Sequence, residues 1–197
     1  GDAPMDDSVG QAILDACTVV ACIAPHVHAE LHGSLVHLLD ALVRITQNEH
    51  MVLRSAGACC FSVLTKCITD KAMHVLVERI VPMLGDSTLL HRQGAMEVIS
   101  RTVRVQDERL LPYVLFLVVP VLGRMNDSDE SVRLLATNTF AELVKLVPLI
   151  HGLPDPPNFS PALLARREEE KAFLSQLLDG SKVEPYKVPV EMKVQLR

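Results

Sequence analysis

The chain has no tryptophan, only two tyrosines and five phenylalanines in 197 residues. Large rings therefore cannot fill its interior, although 49% of its residues are hydrophobic. The core must come from Leu, Val, Ile and Ala, a composition of ordinary globular apolar content that favours helices. Catalytic signatures are also missing. There is no glycine-rich phosphate loop, no Gly-Lys-Ser/Thr, no Asp-Glu-x-His box and no Ser or Cys with a base at a recognisable spacing. Positive charge is scarce too: 19 Lys and Arg against 24 Asp and Glu give a net charge of -5, which argues against nucleic acid as the main partner. The longest apolar run, Leu110 to Leu122, is interrupted by Pro112 and Pro120 and falls short of the roughly 20 residues of a bilayer span. It reads as a buried helix. Gly1 to Asp7 is acidic and lacks the apolar stretch of a signal peptide, so no export is expected.

Five cysteines, Cys17, Cys22, Cys59, Cys60 and Cys67, make an odd set. Cys17 shares a helical face with Ile13, Ala16 and Val20, and Cys60 shares one with Leu53, Gly57, Phe61 and Leu64. Cys59 and Cys60 point about 100° apart on a helix, poor geometry for a shared metal. The five read as small apolar fillers in a reducing compartment. His26, His28, His32 and His37 invite a metal reading because His28 and His32 are four residues apart. Ala29 stands where a zinc hydrolase needs Glu, so they read as partly exposed residues near a helix start, and no metal or cofactor is expected here.

What the chain does contain is a repeat. Arg54 is followed by Gly57 and Phe61, Arg92 by Ala95 and Ile99, and Arg133 by Ala136 and Phe140, with the arginines 38 and 41 residues apart. Val81-Pro82-Met83-Leu84-Gly85 recurs as Val119-Pro120-Val121-Leu122-Gly123 at a shift of 38. The pattern of a proline-bent first helix, an acidic turn and a second helix opening near an arginine resembles HEAT repeats. Helices are predicted at 8–24, 28–46, 49–67, 71–84, 88–104, 108–125, 128–147 and 161–179. The first is an orphan second helix of an upstream repeat and the next six form three pairs, so the stack reads as part of a longer solenoid. The fold class is an all-α HEAT-repeat α-solenoid followed by one helix and an extended tail.

Local chemistry supports these boundaries. Asp127 is expected to cap the helix at 128–147, with Glu130 reaching back as in a capping box. Val132, Ala136, Phe140, Leu143, Val144 and Val147 form its apolar stripe. Pro112 suits a first turn, and Pro120 bends its helix. Arg54, Arg92 and Arg133 are expected to form an inter-repeat ladder, bonding acidic turn residues such as Asp86, Asp127 and Asp129. In the helix 161–179, Ser160-Pro161 is a favourable start. Glu168-Glu169-Glu170, flanked by Arg166, Arg167 and Lys171, reads as a solvated mixed-charge face. Phe173, Leu174, Leu177 and Leu178 form an apolar end whose burial contributes about 1.5–3 kcal/mol each. That end needs a partner, either the last repeat or an absent domain, and Gly180 closes the helix.

From Leu153 the chain runs Leu-Pro-Asp-Pro-Pro-Asn, then the charged helix, Leu177-Leu178-Asp179-Gly180, Tyr186-Lys187-Val188-Pro189 and a final Leu196-Arg197. This run resembles the segment that enters the motor of the Swi/Snf-family ATPases that remove TATA-binding protein from promoter DNA. The resemblance is specific over 153–197 and generic over the repeats. It implies a solenoid segment at 1–151, a proline-rich linker at 152–160, a bridging helix at 161–180 and an extended lead-in at 181–197. It further implies a nuclear protein whose full length binds TATA-binding protein and hydrolyses ATP in a motor absent from this chain. The partners implied are that motor, upstream HEAT repeats and, through the whole protein, TATA-binding protein. DNA contact by the tail is weakened by Glu184 and Glu191, and an extended strap is preferred. No membrane partner is expected. The alternative is a HEAT adaptor of the importin or phosphatase-scaffold kind, binding a protein ligand on its concave face.

Overall fold

The structure is a computed structural model that describes residues 7–146 and 160–178. Among them no strand occurs. The chain divides into two compact units, Gly1–Leu110 and Leu111–Arg197. The linker 152–160, except Ser160, and the tail 181–197 lie outside the described residues, as do Val147 and Gly180.

The first unit contains α1 (Asp7–Ile23), α2 (His32–Ile45), α3 (Met51–Cys67), α4 (Thr69–Val75), α5 (Val81–Met83) and α6 (Leu89–Gln106). Helix α3 is its centre: α1, α2, α4 and α6 all pack against it. Leu53, Phe61 and Leu64 of α3 are buried with Ala95, Met96 and Ile99 of α6. The helix predicted over 71–84 is instead α4, a π-helical turn at Leu76–Ile80 and α5. The cause is Pro82, which has no amide hydrogen and whose ring crowds the carbonyl four residues back. The backbone widens ahead of it, and the Val81 amide donates to Leu76 O, five residues back. Ser8–His26 is the one described helical stretch long and apolar enough to cross a membrane. Its packing on α3, with Cys17 and Ala24 buried, commits one face to the repeat core, while Val9, Val19 and Ile23 are exposed.

Small residues set the spacing. A Cβ on Gly57 would lie 2.7 Å from Ile45 Cγ2, so α2 and α3 meet there. Gly94 is tighter: its Cβ would fall 1.8 Å from the backbone oxygen of Thr46. The turn leaving α2 thus lies against both α3 and α6, and Gly94, rather than the fully buried Ala95 beside it, marks the closest approach.

The second unit contains α7 (Val114–Arg124), α8 (Glu130–Leu146) and α9 (Pro161–Leu178). Pro112 sits in a 3-10 segment, Asp107–Tyr113, rather than in a first α-helical turn, and Pro120 lies inside α7. Leu115, Phe116 and Val118 of α7 are buried with Val132, Ala136 and Leu143 of α8. The α8 stripe is shifted from its prediction. Thr139 is buried, Phe140 is only half-buried and Val144 is exposed. Thr139 can occupy the core because its hydroxyl donates to Leu135 O at 2.7 Å, which removes the cost of burying it.

Candidate functional site

Three turns, one before each of α3, α6 and α8, share one hydrogen-bond pattern. Each begins with Asn48, Asp86 or Asp127, placed six residues before an arginine. The amide of each donates three residues back, to Ile45 O, Met83 O and Arg124 O at 3.1, 3.2 and 3.1 Å. Its side-chain oxygen then accepts the amide two residues on, from His50, Thr88 and Asp129 at 2.9, 2.7 and 3.0 Å. This is the local turn that Asn and Asp form readily.

The arginines close these turns. Nη1 of Arg54 donates to Asn48 O and Glu49 O at 2.8 and 2.7 Å, that of Arg92 to Asp86 O and Ser87 O at 3.0 Å each, and that of Arg133 to Asp127 O and Ser128 O at 2.8 and 2.9 Å. Each guanidinium therefore satisfies two carbonyls of the turn before its own helix, a role the sequence reading did not foresee. Arg54 and Arg92 are buried. Arg54 also crosses between repeats, but to the amide oxygen Gln93 Oε1 at 3.2 Å rather than to a carboxylate. The missed signal was legible: Asn48, Asp86 and Asp127 recur at the same 38 and 41 spacings as the arginines.

The acids have distinct duties. Asp127, only 6% exposed, accepts from Arg124 Nη1 at 3.1 Å within the turn. Asp129 is the side-chain cap of α8, its Oδ1 accepting the Val132 amide at 3.1 Å, which displaces Asp127 from the capping role expected for it. The reason is geometric, since the amide two residues on already occupies Asp127 Oδ1. Hydrogen bonds from His91 and then from the Thr88 amide hold the Asp86 carboxyl down at about 2.

The terminal helix begins as its Ser-Pro pair implies, with the Leu163 amide donating to Ser160 Oγ at 3.3 Å. It packs on α7. The charged middle is not uniformly solvated: Arg167 and Glu170 are 3% and 8% exposed, whereas Glu168 and Glu169 are exposed. Spacing explains this, because residues 167 and 170 share a face three apart. Phe173 is half-buried. The side chains of Leu174, Leu177 and Leu178 lie outside the described ones.

The remaining candidates scatter. His28 Nδ1 accepts the Glu30 amide at 3.4 Å, and His32 Nε2 donates to Val27 O at 3.1 Å. Among the described residues no three ligating side chains converge. All five cysteines are free. Cys17 and Cys60 are buried, but Cys22 and Cys59 are exposed, contrary to their reading as fillers, because adjacent helical positions face different ways. Burial, with lesser contributions from Cys17 and Cys59, pushes the Cys60 thiol up to about 12.

Comparison with known proteins accords with this geometry. The family model described as "Stalled ribosome sensor GCN1-like, HEAT repeats" matches residues 13–150, which span all three arginine-held turns. The chain belongs to this HEAT-repeat family. It is an all-α HEAT-repeat protein in fold class. It is also 47% identical over 193 residues to the TATA-binding protein-associated factor mot1 of Aspergillus fumigatus, covering 98% of the chain. Identity is 40% over 194 residues to the TATA-binding protein-associated factor 172 of Homo sapiens and 37% over 195 residues to the factor MOT1 of Saccharomyces cerevisiae, covering 97% and 98% of the chain. The HEAT segment spans only 10% of the length of each of these relatives. Their similarity extends across the repeats as well as the end of the chain.

Proposed function

We propose that this HEAT segment is a non-catalytic scaffold and bridge within a nuclear transcription regulator that uses ATP to dissociate TATA-binding protein from promoter DNA. Its task is to connect upstream repeats, which engage TATA-binding protein, to an ATPase motor. The observation that carries this reading is the match along 98% of the chain to factors named for association with TATA-binding protein. Helix α9 supports it, since the helix that leaves the repeats is packed on α7. A docked helix transmits displacement better than a free joint, and a sequence with three prolines in the linker, Pro154, Pro156 and Pro157, has less backbone freedom than a Gly/Ser sequence of the same length.

The adaptor reading draws on one feature of the first unit: Met51 and Val52, at the start of α3, are 65% and 58% exposed. These side chains could meet a protein ligand directly. Replacing Leu174 and Leu177 by Asp in the full-length protein separates the two readings. The bridge predicts retained TATA-binding-protein binding and DNA-stimulated ATP hydrolysis with a steep fall in ATP-driven removal. Unchanged removal refutes the bridge, and parallel loss of all three activities indicates misfolding of the variant.

A further inference from the structure

Glu170 is the acid in α9 that the mixed-charge pattern leaves unexplained. Its side chain is 9% exposed, on a helix that packs against α7 (Val114–Arg124), which carries no charged or polar side chain until its last residue. One carboxyl oxygen, Oε1, accepts from Arg166 Nε at 2.9 Å. The other, Oε2, is buried without a hydrogen-bond partner. A buried ionised oxygen in that position is costly, whereas a protonated carboxyl loses far less on leaving water.

We propose that Glu170 makes the packing of α9 on α7 a proton-dependent latch, tight when its carboxyl is neutral and loosened when it ionises. Burial sets this direction, and the nearby charges on balance resist it. From α7 the only charged side chain is Arg124, which bonds to Asp127 at 3.1 Å. On α9 itself Arg166 opposes the effect, but it is 40% exposed and solvent weakens its pull. Glu169, next in the chain, adds repulsion, while the Arg167 guanidinium lies 3.7 Å from Glu168 and Lys171 lies 3.9 Å from the same acid. Burial outweighs the Arg166 interaction and lifts the Glu170 carboxyl from 4.5 to about 7.

The direction follows from linkage. The docked helix holds the proton more tightly than the undocked one, so docking is strongest below pH 4.5, weakens between 4.5 and 7, and levels off above. Between pH 5 and pH 8 these midpoints imply a docking equilibrium about 70-fold weaker. This inference depends on neither the motor nor TATA-binding protein, so the bridge reading can fail without it.

Amide hydrogen exchange on the 197-residue chain tests it, with α7 amides as the internal reference and rates corrected for intrinsic pH dependence. Protection of the α9 amides should fall by about 70-fold from pH 5 to pH 8, and Glu170→Gln should abolish the fall. Wild-type protection that is flat or rises with pH overturns the latch, as does an undiminished fall in Glu170→Gln. If that variant does not fold, the wild-type Glu170 carboxyl followed by NMR decides. A midpoint near 7 that coincides with the loss of protection supports the latch, and one near 4.5 overturns it.

Discussion

Replacing Gly94 by alanine places a methyl carbon 1.8 Å from the backbone oxygen of Thr46. Ordinary carbon–oxygen contact is about 3.2 Å, so α6 must move away from the turn leaving α2 by more than 1 Å, and no side-chain rotation can absorb the shift because the obstacle is backbone. Overpacking of this kind costs about 3–4 kcal/mol, at or above the upper end of the usual range. Alanine returns about 1 kcal/mol through better helix propensity. The net is destabilisation by about 2–3 kcal/mol. Two further glycines calibrate it within the same unit. At Gly57 the nearest atoms are Ile45 Cγ2 at 2.7 Å and Ile45 Cβ at 3.2 Å, part of a stiff branched side chain that must shift rather than turn aside, so the change should cost about 1–2 kcal/mol, less than at Gly94. At Gly33 no atom lies within 4 Å, so alanine should be neutral or stabilising by about 0.5 kcal/mol. Urea unfolding followed by circular dichroism gives all three values. A Gly94→Ala protein as stable as wild type, or one more stable than Gly57→Ala, would refute the close approach and with it the stacking of α6 on α2 and α3.

Other consequences can be measured separately. Thr102 Oγ1 is buried without a hydrogen-bond partner, so Thr102→Val should be neutral or stabilising by about 1 kcal/mol, and a clear loss of stability would contradict its assignment. Under native conditions a thiol reagent should label Cys22 and Cys59 before Cys17, and Cys60 only on unfolding, which mass spectrometry resolves. The Asp86 carboxyl should titrate at about 2 by NMR and move upward in His91→Ala. Because its folded value is depressed, the stability it contributes is present above pH 3.8 and is lost as pH falls towards 2.

What could be read from the sequence divides along physical lines. Helix positions and the repeat were legible because apolar periodicity and a 38–41 residue recurrence are long-range signals that survive local exceptions. Single-residue roles were less so. Asp127 and Asp129 are chemically interchangeable as caps, and only the path of the turn assigns Asp129 to Val132 and Asp127 to Arg124 and the Asp129 amide. Thr139 was missed in the α8 core because a hydroxyl scores as polar until its bond to Leu135 O is known. The π-helical turn before Pro82 requires knowing how the backbone relieves the ring. The burial of Glu170 is only half-legible: helical spacing puts it on the face of Arg167, but which face of α9 is buried follows from its packing on α7.

The bridge is tested most directly by softening its joint. Flexible Gly/Ser segments of increasing length, inserted between residues 152 and 160 of the full-length protein, lengthen the connection while leaving the repeats and the motor unchanged in sequence. ATP-driven removal of TATA-binding protein from DNA is then measured beside binding and DNA-stimulated ATP hydrolysis. The account predicts that removal declines with each added segment while the other two stay near wild type. Removal that is indifferent to insert length would contradict it.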